Sequence, residues 1–298
     1  MLTAMLRYAG LTANPVLVST RSNGVALFPN RNAFNYVIAA VENGTDLTLL
    51  DASDAYSTPN VLPFRALNWV GRLIRKDGTS IEVDLMPKSP SNDLIAMSYS
   101  IDETGLISGK LRRQRTDHNA MIFRKKVEDL KEESYLEKLE NDNDKIEVNE
   151  YSRTNEKELK LPAIETFSFV GSNLDESIGG KIYVNPMLFY TEKQNPFKQE
   201  VREYPVDYGF PFMDKYSINI QIPEGYKVET LPAVTILSMQ DNLGTFKYMT
   251  NAAGNAIQIS IVYQINAAII SSEYYPMLKE FYQKMIEKQN EKIVLKKV

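Results

Sequence analysis

The stretch Thr245–Ile265, TFKYMTNAAGNAIQISIVYQI, decides the fold class. Ile257, Ile259, Ile261, Tyr263 and Ile265 alternate with smaller or polar residues, the period of two that marks a strand with one buried face. Gly254-Asn255 supplies a tight turn, and Thr245–Met249 pairs back across it. Upstream, Tyr216, Ile218, Ile220 and Ile222 repeat the pattern. So do Ile95, Met97, Tyr99 and Ile101, which a turn near Gly105 returns through Leu106–Arg115. Downstream the period changes. Leu278, Phe281, Tyr282, Met285 and Ile286 form a helical stripe in a segment starting near Ser272, and Pro276 fits only in its first turn.

The first third is shorter in its elements. Pro15–Ser19, Phe34–Val41 and Leu47–Leu50 read as strands, the third entered through Asn43-Gly44. A hairpin at Asp77-Gly78 joins Trp69–Arg75 to Ser80–Leu85. Leu2, Met5 and Leu6 share a helix face that Gly10 terminates. That helix has no N-cap and is shorter than the ~12–15 residues an isolated helix needs, which suggests that the chain begins inside a longer one. The stretch Met86–Asn92 (MPKSPSN) reads as a domain boundary. Val127, Leu130, Leu136 and Leu139 predict a helix over Val127–Leu139, and the polar run Glu140–Lys160 reads as the most mobile part. The expected fold is α+β and predominantly antiparallel β. Residues 1–88 form one unit, and residues 89–298 form a β-sandwich-like domain with a C-terminal helix.

Composition removes whole classes of function. The 298 residues include no cysteine and one histidine, so this chain by itself holds no disulfide, thiolate metal site or cysteine nucleophile. A net charge of −4 gives no basic surface for nucleic acid. No apolar run approaches the ~18 residues of a membrane span, and Arg7 interrupts the only stretch placed like a signal peptide. No cofactor-binding or metal-ligating pattern is present.

Three stretches carry a family resemblance: MLTAMLRYAGLTANPVLVST, then FNYVIAAVE, then LTLLDASD, between Met1 and Asp54. Together they resemble the middle of a transglutaminase-like domain of the papain-type thiol superfamily. The resemblance implies a helix with the nucleophilic Cys near its N-terminal end, where the helix dipole lowers the thiol pKa. A strand bearing His and a strand bearing Asp would follow. In this sequence the Cys would lie upstream of Met1, the His position falls on Tyr36 and the Asp position on Asp51. A phenol is a poor general base at neutral pH. KIYVNPML (Lys181–Leu188), NPFK (Asn195–Lys198), REYPVDYGFPF (Arg202–Phe212) and the tail Tyr275–Lys297 resemble a β-rich C-terminal domain of unknown function, attached to such domains in exported bacterial proteins.

Each remaining candidate has a plainer explanation beside it. Asp51 and Asp54 are a leftover triad acid and its neighbour, or carboxylates capping a turn. Tyr36 lines a relict cleft, or is an ordinary strand tyrosine. His118 sits in a loop or at a strand edge and, alone, supports neither metal nor triad. Lys110–Arg115 (KLRRQR) is a basic cluster, read as a solvated edge strand. Gly179-Gly180-Lys181 lacks phosphate-loop spacing and reads as a turn into Ile182–Val184. Asn43-Gly44-Thr45 is a sequon that a hairpin turn explains. Arg202–Tyr208 lines a groove or bends between two strands.

The functional expectation is a non-catalytic binding or structural module of a transglutaminase-like protein of the bacterial envelope, periplasmic or otherwise exported. Its partner would be a protein, peptide or cell-envelope ligand rather than nucleic acid, with self-association possible through an exposed sheet edge. The alternative is a fragment of a transglutaminase- or peptidase-type thiol enzyme whose nucleophile lies upstream of Met1.

Overall fold

The computed structural model describes residues 1–26, 32–144 and 146–298. Helix α1 (Leu2–Tyr8) lies against a sheet of β1 (Ala13–Val18), β2 (Tyr36–Asn43), β3 (Asp46–Leu50), β4 (Val70–Ile74) and β5 (Ser80–Asp84). The strands run in the order β3-β2-β1-β4-β5, all antiparallel. Gly44 (φ 62°) and Gly78 (φ 86°) sit at the two hairpin turns. Val16, Val18, Ile38, Leu73 and Val83 bury one face beneath Leu62, Ala66 and Leu67. That core is completed by Phe210, from far along the chain. Gly209 makes the insertion possible: its φ is +83°, and a Cβ there would collide with the Phe64 ring.

The chain continues through β6 (Ser91–Ile101), β7 (Ile107–Arg115), helices α2 (Asp117–Glu128) and α3 (Glu132–Asp142), β8 (Glu147–Thr154) and β9 (Ala163–Gly171). Next come β10 (Asp175–Ile178), β11 (Lys181–Val184), β12 (Val206–Asp207), β13 (Phe212–Gln221), β14 (Tyr226–Thr230) and β15 (Thr235–Ser238). Last are β16 (Gly244–Ala253), β17 (Ala256–Ile265), β18 (Ile269–Ile270), α4 (Tyr275–Gln289) and β19 (Ile293–Lys297).

Eight of these strands form one sheet, β15-β16-β17-β13-β6-β7-β9-β8. Its central pair, β13 with β6, is parallel, because the chain crosses over between them instead of turning back. The alternation read from the sequence is the alternation of burial: in β6 and β9 every second residue is buried. The inner face packs on α4 and on the sheet β10-β11-β19-β14, through Leu278, Phe281, Met285, Ile182, Val184, Ile293 and Leu295. The whole is predominantly β, with four helices that include a C-terminal one. The stripe of α4 is buried as expected, and Pro276 lies in its first turn.

Four expectations change. The predicted Val127–Leu139 helix is two helices, α2 and α3, broken at 129–131, and Leu130 is exposed at the break. His118 is in neither a loop nor a strand edge but in the first turn of α2, buried and stacked on Phe210 at 4.6 Å. The run Glu140–Lys160 holds the end of α3 and the edge strand β8, whose exposed side accounts for its polarity; Lys145 lies outside the described residues. KLRRQR is not an edge: β7 lies between β6 and β9. Acids on the flanking strands make that position tolerable, since Asp93 on β6 takes Arg113 and Glu165 on β9 takes Arg115. Beyond these, β6 begins at Ser91, near the end of Met86–Asn92, and the chain runs on past α4 into a further strand, β19.

Candidate functional site

Tyr36 opens β2, and Asp51 follows the last residue of β3. These strands are antiparallel neighbours, with Ala39 opposite Leu50, so the two residues meet at one end of the sheet. The Asp51 carboxylate is turned back by its own loop: Oδ1 accepts from the Ser53 amide at 2.8 Å and the Ser53 hydroxyl at 2.7 Å. This is the turn-capping role, and it leaves Oδ2 for the Tyr36 hydroxyl, which donates at 2.6 Å. Asp51 therefore caps its own turn and at the same time accepts from the neighbouring strand.

Arg65 closes the cluster from the short 3-10 turn Phe64–Ala66. Its Nη2 donates to the Tyr36 oxygen at 3.0 Å and to Ser53 Oγ at 2.8 Å, and lies 4.0 Å from Asp51. The guanidinium carbon also stands 5.3 Å from the centroid of the Tyr36 ring. The bond to Tyr36, ahead of the nearby carboxylates, raises the Arg65 pKa above its already high value. Asp54 extends the network. It accepts from the Tyr56 amide at 3.1 Å, lies 3.7 Å from Arg65 and pairs with Lys125 of α2. The end of this sheet is thereby tied to the helix that follows β7.

The arrangement has a definite chemical consequence. A triad imidazole bonds its carboxylate through one nitrogen and offers the lone pair of the other to the nucleophile. A phenol has a single oxygen. In Tyr36 that oxygen gives its proton to Asp51, accepts a cationic N–H from Arg65 and touches Ser53 Oγ. The orienting bond to the acid is present, but the atom that would take a proton is occupied by a donor.

The same sheet presents a groove of about 870 Å³. Leu47 and Leu49 of β3 and Val83 of β5 line it, with Val61, Met86 and His118. Since β3 and β5 are the two edges of the sheet, it curls so that both edges border one groove, in which these apolar side chains alternate with charged ones such as Asp46, Arg75, Glu82 and Asp84.

The other candidates take structural places. His118 bonds Ser91 through Nδ1 at 3.3 Å, and burial lowers its pKa to about 4, so it is a neutral packing residue. Gly179 and Gly180 make the β10–β11 turn, with Lys181 paired to Glu229. Asn43-Gly44-Thr45 lies at the β2–β3 hairpin turn. Within Arg202–Tyr208, Val206-Asp207 forms β12, and Asp207 takes a bidentate bond from Arg21, both arms 2.8 Å. Arg65 and Lys125 were not foreseen. Arg65 sits in a non-periodic loop, and Lys125 is far from Asp54 in sequence, so no local pattern announces either. Among the described residues no three His, Cys, Asp or Glu side chains gather as a metal site, and no helix is long and apolar enough to cross a membrane.

Residues 180–295 match the model of a family described as a domain of unknown function with a solved structure, DUF3858. The match covers the stretches from Lys181–Leu188 to the tail that had suggested such a domain. The chain is also similar to a solved structure, a "putative protease" from Parabacteroides distasonis, with a TM-score of 0.49 and 11% identity. The alignment covers 99% of this chain and 42% of that one, so the chain spans less than half of that protein's length. No curated protein matches the chain. By sequence, the chain is therefore similar from β11 to β19 to a family whose function is itself unknown.

Proposed function

We propose that this chain is a non-catalytic binding module, built on a transglutaminase-like scaffold and acting in the bacterial envelope. The observation that carries the reading is the Tyr36 oxygen, which donates to Asp51 at 2.6 Å while accepting from Arg65 at 3.0 Å. A site wired in this way orients a loop and does not abstract protons. The groove supports the binding half. Both bordering strands are sheet edges, so an extended peptide can add backbone hydrogen bonds there, place alternate side chains on Leu47, Leu49 and Val83, and meet the charged residues of the lining with the others.

Two assays test this. The chain is expected to leave peptide amides unhydrolysed and unexchanged, in the presence or absence of added amine. It is also expected to bind envelope-derived peptides, with binding lost in Leu49→Glu. Amide turnover that disappears in Asp51→Asn would overturn the non-catalytic reading. Peptide binding unaffected by Leu49→Glu would remove the groove from it.

A second reading draws on the same bond. Asp51 still holds whatever occupies the base position, so the scaffold also suits a fragment of a thiol enzyme with its nucleophile elsewhere in a longer protein. Tyr36→His would then raise activity in a longer protein that carries a Cys. No gain would leave the binding reading standing alone.

A further inference from the structure

A second polar site lies on the inner face of the large sheet, where α2 and α3 cover it. The strand registers line up its charges. Asp214 on β13 stands opposite Asp93 on β6, Asp93 opposite Arg115 on β7, and Arg113 opposite Glu165 on β9. Arg113 holds Asp93 with Nε and Nη2 at 2.6–3.0 Å. Arg115 gives Nη2 to Glu165 at 3.0 Å. The other oxygen of Glu165 accepts from Tyr151 at 3.0 Å and from Tyr135. The two acids are consumed by these bonds.

One donor is left over. Arg115 is only 6% exposed, and its Nη1 has no hydrogen-bond acceptor. Its guanidinium carbon is 4.1 Å from the centroid of Phe123, but a ring beneath the plane takes none of the in-plane N–H groups. An unmet buried guanidinium donor costs free energy. Arg115 lines a cavity of about 280 Å³ between α2, α3 and the sheet. Lys126 and Lys138 line the same cavity, and neither has a salt-bridge partner among the described residues. Partial desolvation lowers the Lys126 pKa; Lys138, Arg115 and Arg113 push it the same way and Glu165 opposes them. Arg113, Arg115, Lys126 and Lys138 outnumber Asp93, Asp142 and Glu165 in the lining, so positive charge is in excess there. Asp142 is the one acid of the lining that no arginine holds. The rest of the wall is mixed, with Ile122, Phe123 and Leu139 as its apolar part beside Asn119, Tyr135 and Asn143.

We infer that this cavity binds a small organic carboxylate, with its anionic end on Arg115, Lys126 and Lys138 and its apolar part on Ile122, Phe123 and Leu139. The inference stands apart from the Tyr36–Asp51 site and from the groove. The apolar wall favours an organic acid over an inorganic anion, and the cavity has room for a residue the size of N-acetylleucine.

Calorimetric titration with N-acetylleucine, its uncharged amide and inorganic phosphate, at matched ionic strength in chloride, tests it. Saturable one-to-one binding of N-acetylleucine is expected, with none of the amide. The double variant Lys126→Gln/Lys138→Gln alters two exposed side chains and keeps the thermal midpoint of the free protein. It should weaken binding by at least about tenfold, the size of one charge-assisted hydrogen bond. Arg115→Gln should abolish binding; if it fails to fold, the lysine pair still decides. Equal binding of acid and amide, binding of phosphate alone, an unchanged affinity in the double variant, or no saturable binding would each overturn the inference.

Discussion

Tyrosine, arginine and a carboxylate meet at the end of the five-stranded sheet and again under α2 and α3, and the two arginines differ in burial. At the end of the five-stranded sheet, Asp51 accepts from Tyr36 while Arg65 stands by with a side chain 42% exposed. Under α2 and α3, Glu165 accepts from Tyr135, Tyr151 and Arg115, with the arginine side chain 7% and the glutamate side chain 2% exposed. The chemistry is the same and both carboxylates are buried, the Asp51 side chain 3% and the Glu165 side chain 2% exposed, but water reaches the arginine only at the first site. The cluster with the buried arginine should therefore weigh more on stability, and the one whose arginine meets water should fix a loop at smaller energetic cost.

Glu165→Gln sharpens the contrast most. It leaves Arg115 charged and buried with only the more distant Asp93, 3.8 Å away, and loss of one partner from a buried pair costs about 3–5 kcal/mol. Urea unfolding of this variant and of Asp51→Asn should show the first far below the second. Equal losses would break the comparison.

Two titrating groups flank these clusters with opposite signs. Burial, with Asp93 adding to it and Arg113 opposing, pushes the Asp214 pKa up to about 7 from 3.8. The folded state holds the proton over that interval. Stability from this group is thus fully present below 3.8 and lost as pH rises through 7. Asp214→Asn should gain about 4 kcal/mol relative to the parent between pH 4 and pH 8. His118 runs the other way. Burial lowers its pKa from 6.5 to about 4, so its contribution is full above 6.5 and is lost as pH falls through 4. His118→Phe, which keeps a ring on Phe210, should gain about 3 kcal/mol relative to the parent between pH 7 and pH 4. Paired denaturation curves across pH measure both, and slopes of the reverse sign would refute the assignments.

The smallest effect belongs to the outer face of β7. Arg112 points away from the core and meets Gln114, so Arg112→Ala should change stability by no more than about 0.5 kcal/mol. A loss as large as that of Glu165→Gln would mean that the two faces of β7 had been confused.

How much of this was legible depends on which residues carry the signal. The β16–β17 hairpin and the stripe of α4 are periodic and local, so alternation and helical spacing expose them directly. The meeting of Tyr36 with Asp51 was accessible through resemblance, because two neighbouring strands carry them. KLRRQR misled for a physical reason. A basic run reads as solvated, and its neutralising acids, Asp93 and Glu165, lie on other strands and are invisible in the local sequence. His118 misled in the same way, since the Phe210 that buries it arrives some ninety residues later. The α2–α3 break carries no glycine or proline, and the Val127–Leu139 periodicity runs through it undisturbed.

The most direct test is a double-mutant cycle of Tyr36→Phe and Asp51→Asn, read by urea unfolding at neutral pH. A phenol that donates to a carboxylate in a partly buried site should couple to it by about 1–2 kcal/mol. That coupling would place the Tyr36 hydroxyl in a structural bond that holds the β3 exit loop. Coupling near zero would mean the hydroxyl is not committed to Asp51, and the claim that this site is wired for structure rather than for proton transfer would fail.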